Sequence, residues 1–541
     1  MADKDLITFT IDGRTVRTPK GTMILEAARS AGISVPYYCY HPGLHVVGNC
    51  RMCLVEIEKI PKLQPSCATP ATEGMIVRTQ TTETLKNRKA VLEFLLLNHP
   101  LDCPVCDQAG ECELQNYYME HGTYDARFNE NKTKRKKAFP IGPYVMLDQE
   151  RCILCTRCVR FTQEVTKTGE LAVHDRGHRS EIDVFPGMEL NNAYSGNVVD
   201  ICPVGALTDR DFRFQCRVWF LGSSASICPG CSRGCNIEIH YNERFNPRYH
   251  EKRIQRLKPR YNKDVNGHWM CDEGRYAYHA IDALNRLKAP AIRGSEGFRE
   301  VSWEEAVLKV AQRLRDTLSA TGPESVAVFA SPQMTNEELF RLRQLFRDSL
   351  KVQSIAFRIP TREEVSSDDF LITADKNPNT RGAEVLGLEG GGSEALLRAC
   401  SEGRIRFVYV CHHDLGEGFG AEQVRAALSR VEFVVFQGSW DQETAAMAHV
   451  QLPAAVYAEK EGTFTNLHGR VQRISGAVPP MGLSLPDLEI FARLANELKL
   501  PHSSVPAGVV FEEMGRQVSV FGGMNYDTVG TAGQLLNQGS R

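Results

Sequence analysis

The residues most suited to chemistry are cysteines, and their spacing is more telling than their number. In "NHPLDCPVCDQAGEC", residues 98–112, His99 stands four positions ahead of Cys103, and Cys106 and Cys112 follow, giving H-x3-C-x2-C-x5-C. Three thiolates and one imidazole can complete a tetrahedral zinc site or the four corners of a [4Fe-4S] cube. A lone histidine before a proline is ordinarily a packed or hydrogen-bonded side chain. Three cysteines in register make ligation the expectation here. A neutral imidazole in place of a thiolate leaves such a site less negative, which raises its reduction potential.

Three further sets accompany it. Cys39, Cys50, Cys53 and Cys67 form C-x10-C-x2-C-x13-C, one tight pair and two outlying ligands, which suits a [2Fe-2S] cluster and also a four-cysteine zinc site. The first gap is wider than in the plant-type spacing. Cys152, Cys155 and Cys158 form C-x2-C-x2-C, and Cys202-Pro203 lies 44 positions on. In two-cluster ferredoxins the fourth cysteine of each run ligates the other cluster. Carried back from Cys202, that spacing falls on Asn192, Ser195 and Val198, and carried forward from Cys158 it falls on Thr162. One [4Fe-4S] cluster of a former pair is therefore expected, a pattern zinc has no reason to reproduce. Cys228, Cys231 and Cys235, with Cys271, form the fourth set. Cys216 fits none of them and reads as a buried thiol.

These sites need scaffolds. At 541 residues the chain has room for three or four domains of about 150 residues. Sixteen of its 18 cysteines precede residue 272, so a metal-rich front half meets a metal-poor back half. In "ITFTIDGRTVRTP", Ile7, Phe9 and Ile11 alternate up to an Asp12-Gly13 turn, predicting a hairpin. "GTMILEAARSAG" predicts a short helix capped by Thr22, burying Ile24, Leu25 and Ala28 and ending at Gly32. Hairpin, helix and cysteine loop suggest a β-grasp ferredoxin domain. Leu85, Leu92 and Leu96 mark one face of a second helix that Pro100 ends. The basic run "NKTKRKK", 131–137, reads as a solvated linker, with a docking patch as the alternative.

In the back half, Ser302 with Glu305 and Thr335 with Glu338 predict capping boxes, the first opening a helix with Trp303, Val307, Val310 and Leu314 on one stripe. Short apolar strands, "SVAVFAS", "FVYVC" and "VEFVVF", alternate with such helices, which predicts a doubly wound parallel sheet. Gly416, Gly418 and Ala421 formally match a dinucleotide fingerprint. The intervening "CHHDL" spoils its tight turn, and dinucleotide binding is not expected. Cys411, His412 and His413 are adjacent residues that do not converge on one ion, and read as a strand-end cluster. With 64 basic and 66 acidic residues, no nucleic-acid surface is indicated. No signal peptide and no 18-residue apolar run occurs, so a soluble, cytoplasmic chain is expected.

"PRYNKDVNGHWMCDEGRYAYH", 259–279, with the three cysteines before it, resembles the [4Fe-4S] domain that opens molybdopterin oxidoreductases, and "AEKEGTFTNLHGRVQR", 458–473, resembles the same family. The order of all four sites, over residues 1 to 275, is similar to that of the large iron-sulfur subunits of bacterial NADH:quinone oxidoreductase (complex I). The resemblance implies an electron conductor with one [2Fe-2S] cluster and three [4Fe-4S] clusters, and no substrate site of its own. It implies a [2Fe-2S] domain at 1–84, a [4Fe-4S] domain with one histidine and three cysteine ligands at 85–126, and a ferredoxin-like module at 127–216. A molybdopterin-oxidoreductase-type [4Fe-4S] domain at 217–277 and a vestigial α/β domain at 278–541 follow. Its implied partners are a flavin-bearing NADH-oxidising subunit and a quinone-facing iron-sulfur subunit, with membrane contact only through them, on the cytoplasmic side of the inner membrane. Electrons would enter at the [2Fe-2S] cluster, pass to the Cys152 set and leave from the His99 set, with the Cys228 set off the main route. Complex I members differ in whether they keep that fourth cluster, and with all four ligands present a filled site is expected. No molybdopterin is expected, since "AFRIPTREE", 356–364, offers no Cys or Ser ligand. The competing readings are a subunit of an NAD-linked formate dehydrogenase or hydrogenase, and a zinc scaffold.

Overall fold

The computed structural model describes residues 6–123, 125–243, 252–360, 365–388, 390–501 and 505–537. The chain folds as two units, Met1–Leu221 and Gly222–Arg541.

In the first unit, strands Leu6–Ile11 and Arg14–Pro19 pair antiparallel as a hairpin. Asp12 and Gly13 both have positive φ, the geometry whose twist matches the flanking strands. Leu6–Ile11 also runs parallel to Ile76–Arg78, and a five-stranded mixed sheet results. The helix Ile24–Ser30 lays Ile24, Leu25, Ala27 and Ala28 on this sheet against Phe9, Ile11, Val55 and Val77. Thr22 does not cap it. Met23 occupies the cap position and the Thr22 hydroxyl donates to the Pro19 carbonyl instead, at 2.8 Å.

The helix Thr82–Leu96, capped by Thr81, delivers the chain to His99. A second helix, Glu113–His121, starts at Cys112. A three-stranded sheet of Phe139–Pro140, Val145–Leu147 and Leu207–Asp209 carries the Cys152 loop, and short helices Arg157–Arg160 and Asn197–Ile201 flank it.

The basic run 131–137 is mostly exposed and without regular structure, as a linker would be, but three of its side chains are anchored. Lys132 Nζ donates to the Leu96 and Leu97 carbonyls at the end of the long helix, at 2.7 and 2.9 Å. Arg135 binds the Ser180 and His178 carbonyls, and Lys137 pairs with Glu150 at 2.9 Å. The anchoring was not legible in the sequence because the acceptors are mostly backbone carbonyls, which no composition announces.

In the second unit, a three-stranded antiparallel sheet (Leu221–Ile227, Asn236–Asn242, Ile254–Pro259) precedes a seven-stranded one. Five strands of the larger sheet are parallel: Ile355–Ala356, Val326–Phe329, Phe407–Cys411, Phe433–Gly438 and Val450–Pro453. Ala291–Gly294 and Gly297–Glu300 add an antiparallel hairpin at one edge, so the sheet is mixed rather than wholly parallel. Successive strand residues feed opposite cores. Val328, Tyr409 and Val435 pack on one face, under helices Trp303–Thr321 and Asp487–Glu497. Phe329, Val410 and Val434 pack on the other, under Ser393–Ser401 and Ala421–Leu428.

Thr335 and Glu338 form the complete capping box. Ser302 caps its helix through the Glu305 N–H, while the Glu305 side chain turns away to Arg299. Glu338 has a second task. It meets buried Lys460 Nζ at 2.8 Å, and the same ammonium lies 2.7 Å from Asp487. Asp487 also accepts from Gln437 Nε2 at 2.6 Å and pairs with His412 Nε2 at 2.7 Å. Burial alone would raise the Asp487 carboxyl, but His412 and Lys460 hold it well below the usual range. One cation thus serves two carboxylates away from water. Lys460→Met should cost roughly 3–5 kcal/mol by stranding them, read as an earlier denaturant midpoint for the second unit. An unchanged midpoint would show that the carboxylates do not depend on Lys460.

Candidate metal centres

The first set sits against the mixed sheet. Cys39, Cys53 and Cys67 are buried and Cys50 is half-buried. Their sulfurs are in mutual contact: Cys39 with Cys50 and Cys67, and Cys53 with Cys67. Hydrogen bonds from Cys50 and Cys67 hold Cys39 low, and one from Cys67 holds Cys53 low. The donors Cys50 and Cys67 are pushed up in return. Gly48 and Arg51 take positive φ, and the resulting turns aim the Asn49 and Cys50 N–H groups at the Cys39 sulfur. Such backbone concavities favour anions.

The second set lies between the two helices. His99, Cys103, Cys106 and Cys112 line one cavity of about 520 Å³, together with Leu92, Leu96 and Gly205. Burial, reinforced by Arg151, pushes the His99 imidazole down to about 4, so it is neutral at pH 7. Its Nδ1 is buried with no hydrogen-bond partner. An orphaned neutral ring nitrogen among three thiols is the donor set a metal would take. Burial pushes Cys112 up to about 11, against the Leu114 and Gln115 N–H groups that favour its thiolate. Gly205 is required for space, since a Cβ there would stand 2.5 Å from the Cys106 sulfur.

The third set, Cys152, Cys155, Cys158 and Cys202, lines a cavity closed by Leu147, Ile182, Val204 and Leu207. Leu154 and Thr156 both have positive φ in this short loop. Leu154 N–H reaches the Cys152 sulfur at 3.4 Å, Arg157 N–H serves Cys155, and the Val204, Ala206 and Leu207 N–H groups serve Cys202. Burial pushes Cys152 and Cys155 up to about 12, so a metal must displace their protons to bind.

Three buried arginines tie these sets together, and sequence reading missed them. Arg151 pairs with Asp102, next to Cys103, at 2.8 Å and with Asp148 at 3.2 Å. Arg157 lies 3.5 Å from Glu113, next to Cys112, and donates to the Ile201 carbonyl, next to Cys202. Arg160 donates to the carbonyls of Cys39 and Cys155. The signal was present in "RCILCTRCVR", where each arginine lies within two residues of a thiol. Members of all three sets also share one apolar cluster, in which Tyr38, Met52, Leu92, Leu114, Val204 and Ala206 pack on Cys50, Cys112, Cys152, Cys155 and Cys202.

The fourth set belongs to the second unit. Cys228, Cys231, Cys235 and Cys271 line one cavity with Met270, Gly274, Leu371, Ile372 and Lys376. Gly230 N–H serves Cys228, and Gly274 N–H reaches the Cys271 sulfur at 3.4 Å. Burial pushes Cys271 up to about 11. The α/β domain clasps this site: Ser232 N–H donates to the Asp375 carbonyl, and Lys376 pairs with Glu273 at 2.7 Å.

Among the described residues, no three His, Cys, Asp or Glu side chains converge tightly enough to hold a single metal ion. Cys216 is buried, as are Cys400 and Cys411. His412 and His413 diverge, to Asp487 and to the Phe357 carbonyl. The Gly416 turn is occupied by its own chain, since the Asp414 carboxylate accepts from Gly416 and Thr444. Of the stretch 356–364, residues 361–364 lie outside the described residues. No described helix is long and apolar enough to cross a membrane.

Comparison with known proteins places iron-sulfur domain families on this chain. Residues 4–82 match the 2Fe-2S iron-sulfur cluster binding domain, and 88–127 the NADH-ubiquinone oxidoreductase-G iron-sulfur binding region. Residues 142–208 match the ferredoxin-like domain of NADH-quinone oxidoreductase subunit 3, and 286–358 with 371–497 match molybdopterin oxidoreductase. The NADH-quinone oxidoreductase G subunit of Rickettsia felis is 30% identical, over 92% of this chain and 88% of that one. The corresponding G subunit of Streptomyces coelicolor is 39% identical over 68% of this chain and 42% of its own length. The mitochondrial NADH dehydrogenase [ubiquinone] iron-sulfur protein 1 of Solanum tuberosum is 42% identical over 63% and 45%. Among solved structures, an NAD+-reducing [NiFe]-hydrogenase in its H2-reduced state is 32% identical, covering 39% of this chain and 91% of that one, at a TM-score of 0.36. With cysteine sets, scaffolds and near full-length kinship in agreement, the chain belongs to the G-subunit family of NADH-quinone oxidoreductase iron-sulfur proteins.

Proposed function

We propose that this chain is the iron-sulfur conductor of an NADH:quinone oxidoreductase, carrying electrons from a flavin-bearing NADH-oxidising subunit toward a quinone-facing iron-sulfur subunit. The observation that carries the reading is that each four-residue set expected from spacing is gathered in space, one by sulfur contacts and three around a cavity of its own.

On this reading Cys39, Cys50, Cys53 and Cys67 hold a [2Fe-2S] cluster in a β-grasp domain, residues 1–84, supported by the parallel pairing of its first and last strands. His99, Cys103, Cys106 and Cys112 (domain 85–126), Cys152, Cys155, Cys158 and Cys202 (domain 127–216), and Cys228, Cys231, Cys235 and Cys271 (domain 217–277) each hold a [4Fe-4S] cluster. Such clusters, when bound, take up and release single electrons. The protein's own contribution is to exclude water, orient ligands and place N–H donors and cations where added negative charge is stabilised.

The domain at 278–541 acts as a structural clasp for the fourth site and holds no molybdopterin. In open α/β sheets ligands bind beyond the carboxyl ends of the strands. Here His412 and Gln437, at the ends of two central strands, are engaged by Asp487, which Lys460 neutralises in turn. The chain would work at the cytoplasmic face of the bacterial inner membrane, reaching it through its partner subunits.

Metal analysis of anaerobically purified protein tests this. About 14 irons per chain are expected with all four sets filled, and about 10 if the fourth is empty. Zinc in place of iron, or stoichiometric molybdenum, would overturn the reading. A second expectation concerns the imidazole. His99→Cys should lower the midpoint potential of its own centre, because a thiolate adds negative charge, and an unchanged potential in an EPR-monitored titration would remove His99 from the ligand set.

A further inference from the structure

Of the three buried arginines among the ligand loops, two have carboxylate partners and one does not. Arg160 is only 5% exposed. Its guanidinium donates to three carbonyls, His45 O at 2.5 Å, Cys39 O at 2.5 Å and Cys155 O at 3.4 Å, while its Nε has no partner. Among the described residues no carboxylate lies within ion-pair distance of it. Glu164, whose field reaches Arg160, is itself engaged by the His45 backbone N–H at 2.9 Å and the His45 ring at 3.1 Å.

An arginine stays charged when buried, and a buried cation without a counter-anion is strongly unfavourable. Its position shows where that anion must be. One nitrogen, Nη2, touches the backbone of a residue from the first cysteine set and of a residue from the third. A filled set, with four thiolates, is net negative and becomes more so on reduction.

We infer that Arg160 is the shared counter-cation of the Cys39 and Cys152 sets, a positioning residue that raises the reduction potential of both centres together. The inference rests on the iron-sulfur reading of those sets. It differs from the role of Arg151 and Arg157, whose charges are matched by Asp102, Asp148 and Glu113 and whose effect on potential is correspondingly blunted. A single cation acting on both centres shifts them in the same direction, by amounts set by its distance from each.

The test is an EPR-monitored redox titration of the full chain in its complex, comparing wild type, Arg160→Gln and Arg160→Lys. Arg160→Gln keeps a hydrogen-bond donor and removes the charge. The expected result is a shift of both the [2Fe-2S] centre and the Cys152 centre to lower potential, with the His99 and Cys228 centres little changed. Arg160→Lys should restore most of the shift. Unchanged potentials in Arg160→Gln at full iron content would overturn the inference, as would a shift confined to one centre. Loss of iron from both variants alike would also count against it, since a purely structural post would behave so. Absence of iron from these two sets in the wild type would instead defeat the cluster reading itself.

Discussion

On the proposed reading the first unit depends on one electrostatic constraint: to hold clusters, several thiolates must lie close together and largely out of water. An ionised group in a low-dielectric interior persists only where hydrogen bonds or opposite charges replace its hydration. The chain answers with backbone N–H groups turned inward by positive φ at Gly48, Arg51, Leu154 and Thr156, and with arginines drawn from the segment that also supplies the thiols. These arginines reach across sets, so the same groups that offset charge also fix one ligand loop against another. The shared apolar cluster around Tyr38 and Leu92 then packs against members of all three sets, leaving Cys103 exposed.

The second unit solves a related problem differently. Its single cysteine set is closed on one side by Leu371, Ile372 and Lys376 from the α/β domain, whose own interior is fixed by the Lys460, Glu338 and Asp487 network. In this unit the polar stretch 458–473 has an architectural role. Glu459 accepts from Arg286 at 2.9 Å and from Arg253 at 2.7 Å, and Gln472 donates to the Gly234 carbonyl within the cysteine loop. A sheet of this type can bind a ligand beyond its strand ends, but here that region is spanned by the Lys460, Asp487 and His412 ion pairs.

The grouping of the cysteines into four sets was legible in the sequence because it is written in short spacings, and the hairpin was legible because Asp12-Gly13 has a strong local preference for its turn. What stayed hidden was non-local. Thr22 looked like a cap, yet its hydroxyl found the Pro19 carbonyl three residues back, and Glu305 left its capping box for Arg299. The run 131–137 is exposed as its composition suggests, but Lys132 within it reaches back to the end of the helix that leads to His99. The antiparallel edge of the large sheet comes from a hairpin, 291–300, with too few apolar residues to announce itself. Gly205 shows the same limit, since its need to be glycine arises from a sulfur 99 positions earlier in the chain.

The central claim is that the Cys39 and Cys152 sets are joined at one buried guanidinium and therefore hold their centres side by side. Electron tunnelling falls steeply with separation, and so does magnetic coupling between unpaired spins. The most direct measurement is the electron-spin relaxation of the reduced [2Fe-2S] centre, taken first with the Cys152 centre oxidised and then with it reduced. If the two sets share Arg160, relaxation must quicken when the neighbour becomes paramagnetic. Relaxation indifferent to the state of the Cys152 centre would contradict the claim and place the two sets apart.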